Sequence, residues 1–164
     1  MKRFAKSRKG KVDYKLGQSS AENLIMGYLL RRNILAYKAP PNNRGYDIIC
    51  VHPDPKRATK RSVRIQVKSR YQIDCNRAVP IRRDALGAFD YLVAVFLNIG
   101  YFYGSKPKPT DPRHLEFYTL PRNWVRNHHQ KVPSGFDKVV VPEDGIDRFK
   151  NEAGLEQIAR KLQH

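Results

Sequence analysis

Gly45-Tyr46-Asp47-Ile48-Ile49 and, after a basic stretch, Val63-Arg64-Ile65-Gln66-Val67-Lys68 are the two segments from which the fold of this chain is read. In a strand, successive side chains point to opposite faces. Val63, Ile65 and Val67 therefore share one face, and Arg64, Gln66 and Lys68 share the other. Pairing the two segments as a hairpin lets Asp47 converge with Gln66 and Lys68. An oxygen ligand then stands beside an amide and an amine on a polar sheet face, a layout suited to metal-assisted cleavage of a phosphodiester. Asp47 has a plainer reading, as an acid that accepts backbone hydrogen bonds after the Gly45 turn. Yet an Asp inside Tyr46-Asp47-Ile48-Ile49-Cys50-Val51 is out of character for a strand. Lys68 has one too, as an edge lysine that discourages aggregation.

Working outward, Ala21, Leu24, Ile25, Tyr28 and Leu29 recur on one apolar face and predict a helix over 19–32. Residues 34–38 suit a first strand, and Pro40-Pro41-Asn42-Asn43-Arg44-Gly45 is turn chemistry before the Asp47 strand. Residues 52–61 read as an exposed basic loop returning the chain to Val63. Pro80 to Leu86 suits a short helix. Tyr91 to Leu97 is a continuous apolar run, expected at the centre of a sheet with both faces covered. Beyond the Pro-rich linker 104–112, residues 115–120 predict an edge strand, and Pro121 opens a helix carrying Trp124. Leu155, Ile158, Ala159 and Leu162 make the tail, 146–162, helical. The chain is expected to be α/β, in the order helix, three strands, helix, strand, without internal repeats.

Composition bounds the partners. A chain of 164 residues buries about two thirds of its unfolded surface and needs no staples. The expected organisation is a basic flexible arm over 1–16 and one domain over 17–164 that ends in a helical segment. Lys and Arg number 32 against 15 acidic residues, a net charge of +17, which points to a polyanion. No apolar run approaches the roughly twenty residues of a membrane span. The first fifteen residues lack the apolar stretch of a secretory signal. Cys50 and Cys75 have no CxxC spacing, and a reduced cytoplasmic setting, in association with nucleic acid, is expected.

Gly45-Tyr46-Asp47, a gap of about eighteen residues and Gln66-Val67-Lys68, preceded by a helix opening Ser19-Ser20-Ala21-Glu22, resemble the PD-(D/E)xK nuclease superfamily. The Q-x-K variant is similar to that of Mrr-like restriction enzymes and certain homing endonucleases, and the helical Glu to that of Holliday-junction resolvases. The resemblance spans roughly residues 17 to 100, with a fainter echo to about 128. It implies a restriction-endonuclease-like αβββαβ core, a mixed central sheet flanked by helices. It also implies a DNA endonuclease that uses Mg²⁺, with Mn²⁺ able to substitute. Asp47, Gln66, the Val67 carbonyl and Glu22 are the implied metal ligands, and Asp47, Gln66, Lys68 and Glu22 the implied catalytic set. Lys68 would orient the attacking water or stabilise developing charge.

Two departures stand out. Tyr46 replaces Pro before the acid. Gln66 stands where most members carry a carboxylate; an amide oxygen coordinates Mg²⁺ but adds no negative charge. Glu22 is the acid available to compensate. It has a second reading in the same residues, because Ser19-x-x-Glu22 is also a capping box. Both readings stand at this point.

Lys56, Arg57, Lys60, Arg61, Arg70, Arg82, Arg83, Lys106, Lys108, Arg122 and Arg126 are the candidates for duplex or branched DNA. With Lys131 and the N-terminal arm, they would contact phosphates without reading sequence. Tyr101, Phe102 and Tyr103 suit core packing better than base stacking. The histidines show no zinc spacing and no Gly-rich phosphate loop appears. A homodimer is plausible, because cutting both strands asks for two centres. The alternative to the nuclease is a basic binding module, either an inactive relative whose Gln66 marks the lost carboxylate or an RNA-binding assembly protein.

Overall fold

Two apolar layers, one on each face of a single mixed sheet, place the candidate residues. The computed structural model describes residues 14–58, 61–71, 77–98 and 113–163. Helix α1 (Tyr14–Arg31) leads into strands β1 (Leu35–Lys38) and β2 (Ile48–Val51), a single-turn helix α2 (Pro55–Ala58), and β3 (Ser62–Arg70). Then come β4 (Ala78–Pro80), a 3-10 turn (Arg83–Ala85), β5 (Tyr91–Phe96) and β6 (Glu116–Pro121). The chain continues through α3 (Arg122–Asn127), β7 (His129–Gln130), β8 (Lys138–Val140), a second 3-10 turn (Asp147–Phe149) and α4 (Asn151–Gln163).

The main sheet has the order β1-β2-β3-β5-β6; β3 and β5 run parallel and the other neighbours antiparallel. A second, antiparallel sheet has the order β4-β8-β7. On one face of the main sheet, Ile48, Val63, Ile65, Val67, Val93 and Val95 are buried against Ala21, Ile25 and Leu29 of α1 and Leu155, Ile158 and Leu162 of α4. The spacing of these residues on each helix makes one apolar stripe, and each large side chain buried there contributes about 1.5–3 kcal/mol. Arg32 ties the two helices together by pairing with Glu152 (2.8 Å) and Glu156. On the opposite face, Leu92, Ala94, Phe96 and Leu120 pack against Val79, Val139, Val125 and Phe149. Strand β5 is therefore buried on both sides, as its unbroken apolar run predicts, and β6 is the expected edge.

The structure departs from the sequence expectations at several points. Helix α1 begins at Tyr14, five residues before Ser19. Ser19 is thus interior to the helix, and the capping-box reading of Ser19 and Glu22 is set aside. The basic segment 52–61 is not all loop, since Pro55 starts the turn of α2. The helix expected over 80–86 is divided: Pro80 closes β4 and only Arg83–Ala85 turn as a 3-10 helix. The crossover from β3 to its parallel neighbour β5 thus carries a strand and one turn in place of a helix. The tail also breaks, at Lys150, whose extended backbone (φ −80°, ψ 136°) separates the 3-10 turn from α4. Gly154 lets α4 start there, because a Cβ at that position would stand 2.1 Å from the Phe149 carbonyl oxygen.

No helix among the described residues is long and apolar enough to cross a membrane. Cys50 is a buried free thiol pushed up to about 12 by desolvation. Cys75, the arm through residue 13, Tyr101, Phe102, Tyr103 and the linker 104–112 lie outside the described residues.

Candidate active site

The β2–β3 hairpin assembles the first part of the site. Asp47 stands one residue ahead of β2 but already keeps the ladder, donating its N–H to the Ile65 carbonyl (2.8 Å) and accepting the Ala39 N–H (2.8 Å). Gly45 admits the chain to this position at φ +152°, where a Cβ would lie 2.3 Å from the Ala88 Cβ. No larger residue fits the approach. Register then sets Ile48 opposite Ile65 and turns the Asp47 carboxylate toward the next two residues of β3. Asp47 Oδ2 accepts the Val67 N–H (2.7 Å) and a hydrogen bond from Gln66 Nε2 (2.5 Å).

Strand alternation holds. Gln66 and Lys68 line one cleft with Asp47, while Val63, Ile65 and Val67 lie in the core behind them. Gln66 is only 7% exposed despite facing the polar side, and Lys68 is half-buried. The cleft encloses about 620 Å³ and is walled by Arg44 from the turn before β2, Arg82 beside the 3-10 turn, and Phe136 from the β7–β8 loop.

Helix α1 approaches from the other side of the hairpin backbone. Gln18 Nε2 donates to the Val67 carbonyl (2.8 Å) and to Glu22 Oε1 one turn further along (3.1 Å). Ser69 Oγ donates weakly to Gln18 Oε1 (3.4 Å), and Lys38 Nζ pairs with Glu22 Oε2 (3.5 Å). The helix therefore hands Glu22 to the sheet through Gln18.

Burial pushes the Asp47 carboxyl above the usual carboxylate range, and the charge of Glu22 adds to that push. The Val67 N–H, the Lys68 ammonium and the Gln66 amide oppose it without cancelling it. Asp47 and Glu22 are thus electrostatic neighbours. A carboxylate at position 66 would set a further negative charge against Asp47; the amide supplies a donor instead.

Among the described residues, no group of three or more His, Cys, Asp or Glu gathers as a metal cluster. The oxygen donors near one another are two carboxylates, Asp47 and Glu22, with the Gln66 amide and the Val67 carbonyl. In kind these suit a hard cation such as Mg²⁺, which takes carboxylate and neutral oxygens together. The uncompensated push on Asp47 is what a nearby dication would relieve.

The basic candidates separate into groups. Lys56, Arg57, Arg61, Arg82, Arg83, Arg126 and Lys131 are exposed. Arg57 lies 3.9 Å from Asp54, and Arg82 pairs with Asp84. Arg70 ends β3 half-buried. Arg122 is committed inward, with Nη2 donating to Asp90 Oδ1 (2.8 Å) and Nε to the Phe89 carbonyl (2.5 Å), which gives it a structural post. Lys60, Lys106 and Lys108 lie outside the described residues.

Gln18, Arg44 and Phe136 are site neighbours that sequence reading misses. Gln18 precedes the expected helix start, so its helical phase with Glu22 is hidden. Arg44 sits in a turn read only for its shape. Phe136 lies in the loop between two strands too short to show periodicity; its one signal is an aromatic directly after Pro133-Ser134-Gly135.

No protein-family profile matches the chain, and no curated protein matches it. Among solved structures, it is similar to the bacterial homing endonuclease I-Ssp6803I, with a TM-score of 0.52 at 17% identity, covering 91% of this chain and 94% of that one. It is also similar to Hjc, a Holliday junction resolvase of the archaeal hyperthermophile Archaeoglobus fulgidus, with a TM-score of 0.44 at 10% identity over 75% of this chain and 83% of that one. With the five-stranded mixed sheet and its flanking helices, the first of these likenesses shows that the chain has the restriction-endonuclease-like fold.

Proposed function

We propose that this protein is a metal-dependent DNA endonuclease of the PD-(D/E)xK type. The observation that carries this reading is the meeting of Asp47, Gln66 and Lys68 in one cleft, with Glu22 near enough for its charge to be felt at Asp47. Asp47, Gln66 through its amide oxygen, the Val67 carbonyl and Glu22 would hold Mg²⁺ or Mn²⁺. The ion supplies Lewis-acid polarisation of a phosphoryl oxygen and lowers the pKa of water.

The chain's own residues have separate tasks. Asp47 must be ionised to serve as a ligand, and the Val67 N–H together with Lys68 favours that form against burial. Lys68 projects its ammonium into the cleft, where it orients the attacking water or offsets charge building on the phosphate. Gln18 fixes the Val67 carbonyl and Glu22 relative to each other. The exposed Lys56, Arg57, Arg61, Arg82, Arg83 and Arg126 would hold the phosphate backbone, and a +17 chain draws DNA in from solution. Cleavage of both strands would call on two copies acting as a homodimer.

One observation favours a second reading. The Gln66 amide already donates to Asp47 and Gln18 already donates to the Val67 carbonyl, so the two acceptors are satisfied within the chain. A basic nucleic-acid-binding module that has left catalysis behind would look like this.

Conversion of supercoiled plasmid to nicked or linear DNA, with Mg²⁺, Mn²⁺ or EDTA, separates the two. The nuclease reading expects metal-dependent cutting that is lost in Asp47→Ala and in Lys68→Ala while DNA affinity is nearly kept. The nicked-to-linear ratio tests the dimer. Cutting that survives Asp47→Ala removes this site; salt-sensitive binding without cutting, on plasmid and on a four-way junction alike, favours the binding module.

A further inference from the structure

Phe136 is 76% exposed, more than the other exposed large apolar side chains among the described residues, Leu30 at 49% and Tyr37 at 53%. Neither of those lines the candidate cleft; Phe136 does. It sits where a folded chain gains nothing from it. The loop that carries it is held by other groups. Gly135 N–H closes a turn on the Val132 carbonyl (2.9 Å) with Pro133 and Ser134 between them. Asp137 then pins both sides, its carboxylate accepting the Val132 N–H (3.2 Å) and its carbonyl the Ile81 N–H (3.0 Å). A backbone anchored in this way presents an aromatic ring to solvent in a fixed place, at low cost in ordering when something flat arrives.

What arrives is constrained by the neighbours. Arg44, Arg82 and Lys68 line the same cleft with the acids Asp47, Asp84 and Asp137; Asp84 pairs with Arg82 and Asp137 is taken up by the Val132 N–H, which leaves Arg44 and Lys68 facing the opening beside Asp47. A ligand there combines an anionic backbone with an apolar, planar group, which describes a nucleotide. We propose that Phe136 stacks on a nucleobase laid open next to the phosphate held at Asp47 and Lys68, so that the protein prefers DNA with an unpaired base at the cleft. The inference rests on the nuclease reading of that cleft and adds its substrate class: duplex DNA interrupted by a gap, bulge or junction. A base in an intact stack keeps its faces covered and gives the ring nothing to meet.

The test is made on the full chain in EDTA, where binding is read without cleavage. Fluorescence anisotropy compares an intact fluorescein-labelled duplex with the same duplex carrying a central single-stranded gap. Wild type binds the gapped duplex more tightly. Phe136→Ala is expected to lose at least about fivefold on the gapped duplex and to be unchanged on the intact one, while Phe136→Tyr and Phe136→Trp keep the preference. An equal loss on both probes, no loss on either, or equal loss in the Tyr variant overturns the stacking role. These outcomes are independent of cutting: a chain that binds both probes alike yet cleaves plasmid sinks only the role of Phe136. Absence of salt-sensitive binding to either probe overturns the stacking role together with the DNA reading.

Discussion

Gln66 donates its side-chain amide to the same Asp47 oxygen that accepts the Val67 N–H. Two donors from consecutive residues of β3, with the Lys68 charge, thus offset part of the cost of burying this acid. The amide at position 66 is therefore a direct partner of Asp47 in the fold.

Replacing it makes the first prediction. Gln66→Glu removes a donor and sets a third carboxylate beside Asp47 and Glu22. In EDTA the variant should lose about 2 kcal/mol of stability in urea unfolding, the usual cost of an unmatched buried polar or charged group. Millimolar Mg²⁺ should return much of that loss. A variant as stable as wild type in EDTA would mean that Gln66 and Asp47 are not in contact in solution.

Asp47 itself opposes folding at neutral pH. Its folded-state pKa is raised, chiefly by burial and then by Glu22, so the ionised form is disfavoured by the fold. The cost is absent below the unfolded carboxylate pKa, grows as pH rises toward the folded one, and is complete above it. Asp47→Asn keeps an acceptor oxygen and removes the charge. Its melting temperature in EDTA should exceed that of wild type at pH 7, with the difference closing in acid. A variant no more stable at neutral pH would remove this electrostatic account.

Asp90, just ahead of β5, behaves in the opposite way. Burial works to raise its pKa, but the Arg64 N–H and the charges of Lys161 and Arg64 outweigh it and leave the carboxyl lowered. Its oxygens also accept Arg122 Nη2 (2.8 Å). This contribution is present above the unfolded carboxylate pKa and is lost as pH falls through the folded one. Asp90→Ala should cost about 2–3 kcal/mol near neutrality, measured by urea unfolding, and less at low pH. A cost that does not change with pH would assign it to packing alone.

Gly45→Ala tests the entrance to β2. The new Cβ would collide with Ala88, and φ +152° is poor for any L side chain. A loss of about 2–4 kcal/mol is expected, together with weaker plasmid cutting on the nuclease reading, because Asp47 lies two residues on. Ala88→Gly in the same chain should restore part of the stability, since it removes the clash and leaves the backbone strain. Full restoration would assign the whole cost to the contact.

Period-two alternation made β3 legible, because Val63, Ile65 and Val67 are all buried while Gln66 and Lys68 line the cleft on the other face. A continuous apolar run, not alternation, found β5, whose six residues are all buried. Asp47 and Lys68 were legible by alternation: once strand phase is fixed, so is the face. Elements too short to repeat a period were not. Strands β4, β7 and β8 hold two or three residues each and are stabilised by pairing with one another, which local pattern does not record. The start of α1 was hidden because Tyr14 to Gln18 carry no apolar stripe of their own. Arg122 and Asp90 show the limit for charges, since only the fold decides whether a cation meets solvent or a carboxylate.

Helix α4 closes the core beneath the hairpin, with Leu155, Ile158 and Leu162 packed in the same cluster as Ile65 and Val67. Every residue proposed to bind the ion precedes Arg70 in the chain, whereas α4, which with α1 holds their strands in place, follows all of them. During translation the hairpin leaves the ribosome long before α4. A chain interrupted between Arg70 and Asn151 therefore carries all the proposed ligands but lacks the part of the core that Leu155, Ile158 and Leu162 supply beneath them.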